Sequence, residues 1–163
     1  MAKKPSKDDN SNIIAKNRKA HFDYEIMEDY EAGIVLKGTE VKSLRLNTCN
    51  ITDSYADIRY TEGGSPEVWL LNLNINTYKN AASLNHEPLR PRKMLMKSKQ
   101  IKGLIGKLEQ KGLTLIPLLI YFSRKGFVKI RLGLCRGKNE RDKRETIKTR
   151  EWNKQKQRIL KDG

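Results

Sequence analysis

Residues 113–136 read LTLIPLLIYFSRKGFVKIRLGLCR and contain the pattern that decides the fold. Two runs rich in aliphatic and β-branched residues flank the turn SRKG, which predicts a β-hairpin. In the second run, apolar residues alternate from Val128 to Leu134 with the basic residues Lys129 and Arg131. We therefore expect a strand that buries one face in a core and carries basic side chains on the other.

Further strands are predicted upstream of the hairpin. Period-two alternation starts at Phe22 and resumes after Gly33, so this strand is expected to bend or bulge near the glycine. Residues 55–60 and 67–75 are strands by composition, and the turn signal GGSP separates them. In the second of these, one face is expected to hold Trp69, Leu71, Leu73 and Ile75.

Two short helices are predicted among the strands. Residues 38–45, GTEVKSLR, contain Thr39 as a possible cap, and Glu40 lies at the favourable N-terminal end of the helix. From Ser98 onward, apolar residues recur at i, i+3, i+4 and i+7, which predicts an amphipathic helix. Residues 76–93 are expected to form a long loop before this second helix, and loops of that length are commonly functional.

The element order βαββαββ predicts a β-dominated fold with short helices. Meandering antiparallel strands in this number favour a small closed barrel, of which the oligonucleotide-binding barrel is the commonest. We expect residues 1–16 to be a disordered basic lead-in, residues 17–136 the barrel domain, and residues 137–163 a disordered basic tail. The tail has ten Lys or Arg against five Asp or Glu and few large apolar residues, so it cannot fold alone but can become helical against a polyanion.

The charge of the chain indicates a polyanionic partner. Its 163 residues include 34 Lys and Arg against 19 Asp and Glu, a net charge of +15 at pH 7. A balance this basic favours nucleic acid first and an anionic membrane second. The densest segment, residues 86–102, holds six basic residues and one acidic residue, and two of its arginines flank Pro91. Lys42 and Arg45 are one helical turn apart and therefore share a face.

Several classes of protein are disfavoured by the sequence. The longest apolar run, residues 113–122, contains Pro117 and is short of the roughly 20 residues that cross a membrane. The N-terminal residues lack the apolar region of a secretory signal. With only Cys49, Cys135 and two histidines, we expect no metal site, and we expect no cofactor and no catalytic residue. A nuclease or a peptidyl-tRNA hydrolase would need a metal or base that the sequence does not offer.

Several stretches together resemble one family, the SsrA-binding proteins, also called small protein B. They are GTEVKSLR, DSYA, RPRK followed by MLM, and GK-x-x-x-DKR, which stand in the family's order between Asn17 and the C-terminus. The resemblance implies an oligonucleotide-binding-type barrel with a flexible basic tail. It also implies a cytoplasmic adaptor, not an enzyme, that brings tmRNA to stalled ribosomes in trans-translation. The alternative from charge and fold is a basic ribosomal or ribosome-assembly protein.

The resemblance also implies partners and site residues. The barrel would bind the tRNA-like domain of tmRNA, and the tail would enter the decoding centre and messenger channel of the small ribosomal subunit and become helical there. Elongation factor Tu would be an indirect partner through aminoacylated tmRNA. The matched RNA-binding positions are Glu31, Glu40, Lys42, Arg45, Asn50, Arg90, Arg92, Lys93, Leu95 and Lys129. The matched tail positions are Gly137, Lys138, Arg141, Asp142, Lys143, Arg144, Trp152, Ile159 and Leu160.

Three of these matched positions have a second interpretation or depart from the family. Glu31 and Glu40 are expected to accept hydrogen bonds from RNA or to orient a nearby arginine. For Glu40 the alternative is that it only stabilises the N-terminus of its helix. Arg141 stands where many members have His or Tyr, so an aromatic stacking contact there would have to be replaced by a guanidinium plane.

Overall fold

The computed structural model of the chain describes residues 12–81 and 83–161. Its strands are β1 Ile13–Lys16, β2 Tyr24–Ile34, β3 Cys49–Asn50, β4 Tyr55–Tyr60, β5 Pro66–Leu71, β6 Asn74–Ile75, β7 Arg92–Leu95, β8 Leu113–Phe122 and β9 Val128–Gly137. Its helices are α1 Arg18–Asp23, α2 Gly38–Arg45, α3 Ser98–Leu108 and α4 Glu140–Lys161. The predicted hairpin corresponds to β8 and β9, and the two predicted helices correspond to α2 and α3.

Strands β8, β4, β5, β7, β2 and β9 form a closed antiparallel ring, because β9 pairs with β2 on one edge and with β8 on the other. Strand β1 extends the ring by pairing with β8, on the edge of β8 that also meets β4. Closure removes the exposed edges at which open sheets pair with other chains. The predicted fold class, a β-dominated antiparallel barrel with short helices, is confirmed.

The barrel interior holds the apolar side chains that the hairpin pattern predicts. In β9 the apolar residues from Val128 to Leu134 are buried, while Lys129 and Arg131 lie on the outer face. Leu70 of β5 and Ile120 of β8 are fully buried in the same core. Each such side chain contributes roughly 1.5–3 kcal/mol when it is removed from water, so the core fixes the barrel on which any surface site is built.

The predicted strand at 67–75 is interrupted, and its inward face differs from the prediction. Asn72 has a φ of 57°, in the left-handed region, and separates β5 from β6. Because this residue reverses the alternation, Leu73 and Ile75 do not lie on the same face as Trp69. Trp69 faces outward, and its indole N–H donates to Glu67 at 3.2 Å. The buried residues of this segment include Val68, Leu70, Leu73 and Ile75. The prediction of a single apolar face that includes Trp69 is therefore wrong.

The N-terminal boundary also differs from the prediction. Residues 13–16, expected in a disordered lead-in, form β1, in which Ala15 pairs with Ile120. The next residue, Asn17, is buried, and its side-chain amide donates to the carbonyl of Pro117 at 3.1 Å. Residues 13–16 are therefore a strand and not a disordered lead-in, because Ile13 and Ile14 belong to a segment that pairs with the distant strand β8. The remaining lead-in residues 1–11 lie outside the described residues.

The strand predicted from Phe22 begins two residues later. Phe22 belongs to the short helix α1, and β2 starts at Tyr24. The irregularity expected near Gly33 lies instead between Ile26 and Glu28, where the register of β2 against β9 shifts. The alternation of Phe22, Tyr24 and Ile26 covers too few residues to distinguish the end of a short helix from the start of a strand.

The C-terminal segment is helical in this structure, whereas its sequence predicts disorder in the free chain. Helix α4 begins at Glu140 and ends at Lys161, and none of its side chains that the structure describes is buried. Its helix-forming composition without proline accounts for the helix, and its lack of a core-forming pattern accounts for the exposure. None of the helices in the described part of the chain combines the length and apolar character needed to cross a membrane.

Candidate nucleic-acid interface

Helix α2 turns a basic face outward from the barrel. Its buried residues are Glu40, Ser43 and Leu44. Lys42 and Arg45 are exposed, as predicted from their spacing, and no carboxylate within the described ranges lies within salt-bridge distance of either. The helix is preceded by Lys37 as its cap residue rather than by Thr39, and the Lys37 N–H donates to the Glu40 carboxylate at 2.7 Å.

The long loop after β6 is packed against α2. Its His86 is buried, with one ring nitrogen 2.9 Å from Thr39 Oγ1 and the other 2.9 Å from the carbonyl oxygen of Ile75. Ser43 Oγ donates to the Asn76 carbonyl at 2.7 Å. Because both contacts join the loop to α2, the two segments form one surface.

The loop places the ring of Tyr78 next to Lys42 of α2. The side-chain amide of Asn85 holds the Tyr78 backbone at both its N–H, 3.1 Å away, and its carbonyl, 2.8 Å away. The Lys42 ammonium lies 5.5 Å from the centre of the Tyr78 ring, which is within cation–π distance. Tyr78 is not among the site residues predicted from the sequence, although it is the one Phe, Trp or Tyr of residues 76–93.

Glu40, Arg90 and Arg92 form an ion cluster beneath this surface. Glu40 Oε1 accepts from Arg90 Nε at 2.8 Å and from Arg92 Nε at 2.9 Å, and its Oε2 accepts from an Arg90 terminal nitrogen at 2.6 Å. The Arg92 guanidinium also donates to the carbonyls of Pro88 and Leu73, which belong to the loop and to the segment before it. The two arginines therefore fix the loop to the barrel.

The burial of this cluster differs from the expectation that Glu40, Arg90 and Arg92 lie at an RNA-binding surface. The side chains of Glu40 and Arg92 are 0% exposed and that of Arg90 is 21% exposed, so the first two offer no surface to a partner. Burial acts to raise the pKa of Glu40, but hydrogen bonds from Arg90 and the Lys37 N–H, with the charge of Arg92, bring the pKa below its ordinary value. The carboxylate is therefore ionised at neutral pH, and its lone pairs are directed to these donors.

Two other predicted residues, one on the barrel and one on the separate pair of strands β3 and β6, lie at the protein surface. Lys93 in β7 forms an ion pair with Glu67 of β5 and is half-buried. Asn50 is exposed in β3, and its side-chain oxygen accepts from the Thr52 N–H at 2.9 Å. Both have a polar partner within the chain, but both remain accessible.

Leu95, Gly33, Lys129 and Tyr121 lie in one row across four adjacent strands, because each is paired with the next in register. Glu31 lies beside this row and accepts hydrogen bonds from the Lys129 ammonium and from the Tyr121 hydroxyl. These bonds lower the pKa of Glu31. The structure thus brings Glu31, Leu95 and Lys129 together, although they are up to 98 residues apart in the chain.

The predicted tail residues begin at the end of the barrel and continue along α4. Gly137 is the last residue of β9. Lys138 donates through its ammonium to the carbonyl of His21 at 3.1 Å, and Lys143 lies 3.3 Å from Asp23. The rest extend away on the exposed helix; they are Arg141, Asp142, Arg144, Trp152, Ile159 and Leu160. The tail is therefore held at its base by α1.

Comparison with known proteins gives one consistent family. A family model described as SmpB protein matches residues 14–162. Proteins named SsrA-binding protein are 49% identical over 163 residues in Allorhizobium ampelinum, covering 100% of both chains. In Rhodopseudomonas palustris the identity is 52% over 149 residues, covering 91% of this chain and 92% of the relative.

A solved structure gives the same family from the coordinates. It is described as "tmRNA-SmpB: a journey to the center of the bacterial ribosome", and one of its chains is 48% identical to this one, with a TM-score of 0.63. The match covers 82% of this chain and 93% of the solved chain.

Proposed function

The chain belongs to the SmpB family, and from this membership we infer that it binds SsrA RNA, also called tmRNA, and acts with that RNA on the ribosome in trans-translation. The observation in the structure that supports this function best is the surface made by α2 and the long loop. There Lys42 and Arg45 are exposed without a carboxylate partner among the described residues, and Tyr78 lies beside them. Cations beside an aromatic ring suit phosphates and bases of RNA.

Direct RNA contacts are proposed for the accessible residues of this surface. Lys42 and Arg45 would neutralise phosphates, and Asn50 would hydrogen-bond to sugar or base. Lys93, Leu95, Lys129 and Glu31 would extend the contact across the barrel. The tRNA-like domain of the RNA is the proposed ligand, because its folded shape offers several phosphates to a rigid surface.

The buried cluster is proposed to position this surface rather than to touch RNA. Glu40 and Arg92 fix the loop that carries Tyr78, and Arg90 contributes at most its partly exposed edge. Of the two roles considered for Glu40, orienting arginines has the support of its hydrogen bonds. Its bond to the Lys37 N–H supports a second role for Glu40, in stabilising the start of α2.

The tail is proposed to act on the ribosome. Residues 137–163 would enter the decoding centre and the messenger channel of the small subunit, where the basic faces of α4 find phosphates. Elongation factor Tu would join through aminoacylated tmRNA, without contact that we assign to this chain. The protein would be a cytoplasmic adaptor with no catalytic role.

A salt titration tests the proposed RNA surface. The double variant Lys42→Ala/Arg45→Ala is expected to bind SsrA RNA about thirtyfold more weakly, since each lost phosphate contact costs about 1 kcal/mol. Each lost contact should also reduce the slope of log affinity against log salt by about 1. The measurement is the dissociation constant at several salt concentrations by filter binding or anisotropy.

The control removes the same charge elsewhere, in Arg59→Ala/Lys111→Ala. Both residues are exposed, Arg59 on β4 and Lys111 in the turn between α3 and β8. It should leave affinity and slope near those of the wild type. If both double variants lose the same affinity, the charge of the whole protein, and not the α2 surface, determines binding.

A further inference from the structure

An apolar groove opens on the barrel surface next to α2. It is lined by Gly33, Leu36, Val41, Leu95, Phe127 and Lys129 and has a volume of about 340 Å³, which is large enough for a purine. Phe127 is 66% exposed and Leu95 is 53% exposed. Exposed apolar side chains that cluster in this way usually mark a contact site. We refer to this feature as the Phe127 groove.

Gly33 forms the floor of the Phe127 groove. It lies between Leu95 of β7 and Lys129 of β9 in the same register row, so the missing side chain leaves a gap between them. A Cβ at Gly33 would lie 3.2 Å from the Leu95 Cβ. A larger residue would therefore narrow the groove from below.

Phe127 is fixed at the groove by a short turn. The Ser123 N–H donates to the Phe127 carbonyl at 2.8 Å, and the Phe127 N–H donates to Ser123 Oγ at 3.1 Å. Gly126 has a φ of 80°, which glycine adopts without strain and other residues rarely do. The ring is thus presented to solvent from a rigid backbone, which lowers the entropy cost of a contact with it.

The surroundings of the groove suit an RNA base. Val41 in its wall and Lys42 of the proposed phosphate-binding surface are consecutive residues of α2, so the groove and that surface share one helix. Lys37 and Lys125 are exposed, and each adjoins a residue of the groove in sequence. An aromatic face for a base, with cations around it for the flanking phosphates, is the arrangement by which proteins bind unpaired nucleotides.

We propose that one unpaired base of SsrA RNA inserts into the Phe127 groove and stacks on the Phe127 ring, with Leu95 and Val41 as the opposite wall. This proposal rests on the proposed function and adds a contact that depends on base stacking rather than on charge. Phosphate contacts and the stacked base then respond to different variables: the first to salt, the second to the aromatic ring.

The test compares Phe127→Ala, Phe127→Leu and Phe127→Tyr in the full-length chain, with in vitro transcribed SsrA RNA as the probe. Phe127→Ala should lower the affinity roughly tenfold with no change in the salt slope, because stacking on an aromatic ring carries no counterion release. Phe127→Leu, which keeps an apolar side chain, should lose nearly as much, and Phe127→Tyr should bind like the wild type. Gly33→Ala, which narrows the floor, should also weaken binding without changing the slope.

A matched control and a second measurement complete the design. Tyr60 is 61% exposed on β4, and Tyr60→Ala should leave affinity unchanged. Abasic substitutions at the unpaired nucleotides should reveal one position whose loss costs as much as Phe127→Ala and adds nothing to it in combination.

Wild-type affinity in Phe127→Ala, or Phe127→Leu binding as well as Phe127→Tyr, overturns the stacking proposal while the proposed function stands. An abasic scan in which every position is additive with Phe127→Ala also overturns it, because the effect of the ring would then not pass through a single base. If the wild-type chain itself does not bind SsrA RNA, the proposed function fails, and that failure is seen before any variant is compared.

Discussion

A chain that ends at Asn139 is expected to bind SsrA RNA with nearly the affinity of the full-length chain and to lose the release of stalled ribosomes completely. The cut keeps all of β9 and the contacts of Lys138 with α1, where its backbone N–H donates to Asp23 at 2.9 Å. It removes α4, which has no buried side chain among the described residues. The barrel and its RNA surface should therefore remain intact.

The physical reason for the loss is that the apolar side chains of α4 are not buried against any part of the chain that the structure describes. Ile159 and Leu160 are 74% and 73% exposed. On ribosomal surface each could gain roughly 1.5–3 kcal/mol if fully buried. The measurement is release of ribosomes stalled on a message without a stop codon, in a translation system supplied with SsrA RNA.

A full-length pair of variants separates the apolar contact from the charge. Ile159→Asp/Leu160→Asp should abolish release, whereas Gln155→Asp/Gln157→Asp, which adds the same negative charge to the same helix, should retain most of it. A shortened chain that still releases ribosomes, or that no longer binds the RNA, would contradict the proposed division between barrel and tail.

Glu40→Ala is expected to lower the free energy of unfolding by about 3–5 kcal/mol, the usual cost of leaving a buried charge without its partner. The fully buried guanidinium of Arg92 would lose its only carboxylate contact among the described residues, and the Lys37 N–H would lose its acceptor. For a domain whose total stability is about 5–15 kcal/mol, this is a large fraction. Denaturant unfolding at neutral pH measures the change.

Glu31→Ala is the matched control for this variant. Glu31 also accepts two hydrogen bonds and pairs with a lysine, but its side chain is 48% exposed. Exposed ion pairs contribute about 0–1 kcal/mol, so this variant should unfold at nearly the wild-type denaturant concentration. Equal losses in the two variants would show that the burial of Glu40 does not determine its contribution.

The fold was largely predictable because its decisive signals are local. Alternation in residues 113–136 identified β8 and β9, and helical spacing identified α2 and α3. The errors occurred where a distant or single-residue effect decides the outcome. Asn72 reverses the phase of a strand through one left-handed φ, and residues 13–16 become a strand only because β8 offers them an edge.

The candidate site was predictable in part. The exposed pair Lys42 and Arg45 follows from helical spacing, which sequence alone provides. The inward direction of Arg92 does not follow from sequence, because its partner Glu40 is 52 residues away and only the closed barrel brings them together. Charge density in residues 86–102 therefore does not reveal which of the arginines in this segment face solvent.

The most direct test of the central claim is the identity of the RNA that this protein binds in cells. The full-length chain, crosslinked to RNA in growing cells and purified under denaturing conditions, should yield sequences dominated by SsrA RNA, with crosslinks in its tRNA-like part and smaller amounts from the decoding region of ribosomal RNA. Crosslinks spread over ribosomal RNA in proportion to ribosome content, without enrichment of SsrA RNA, would contradict the account and favour a basic ribosomal or assembly protein.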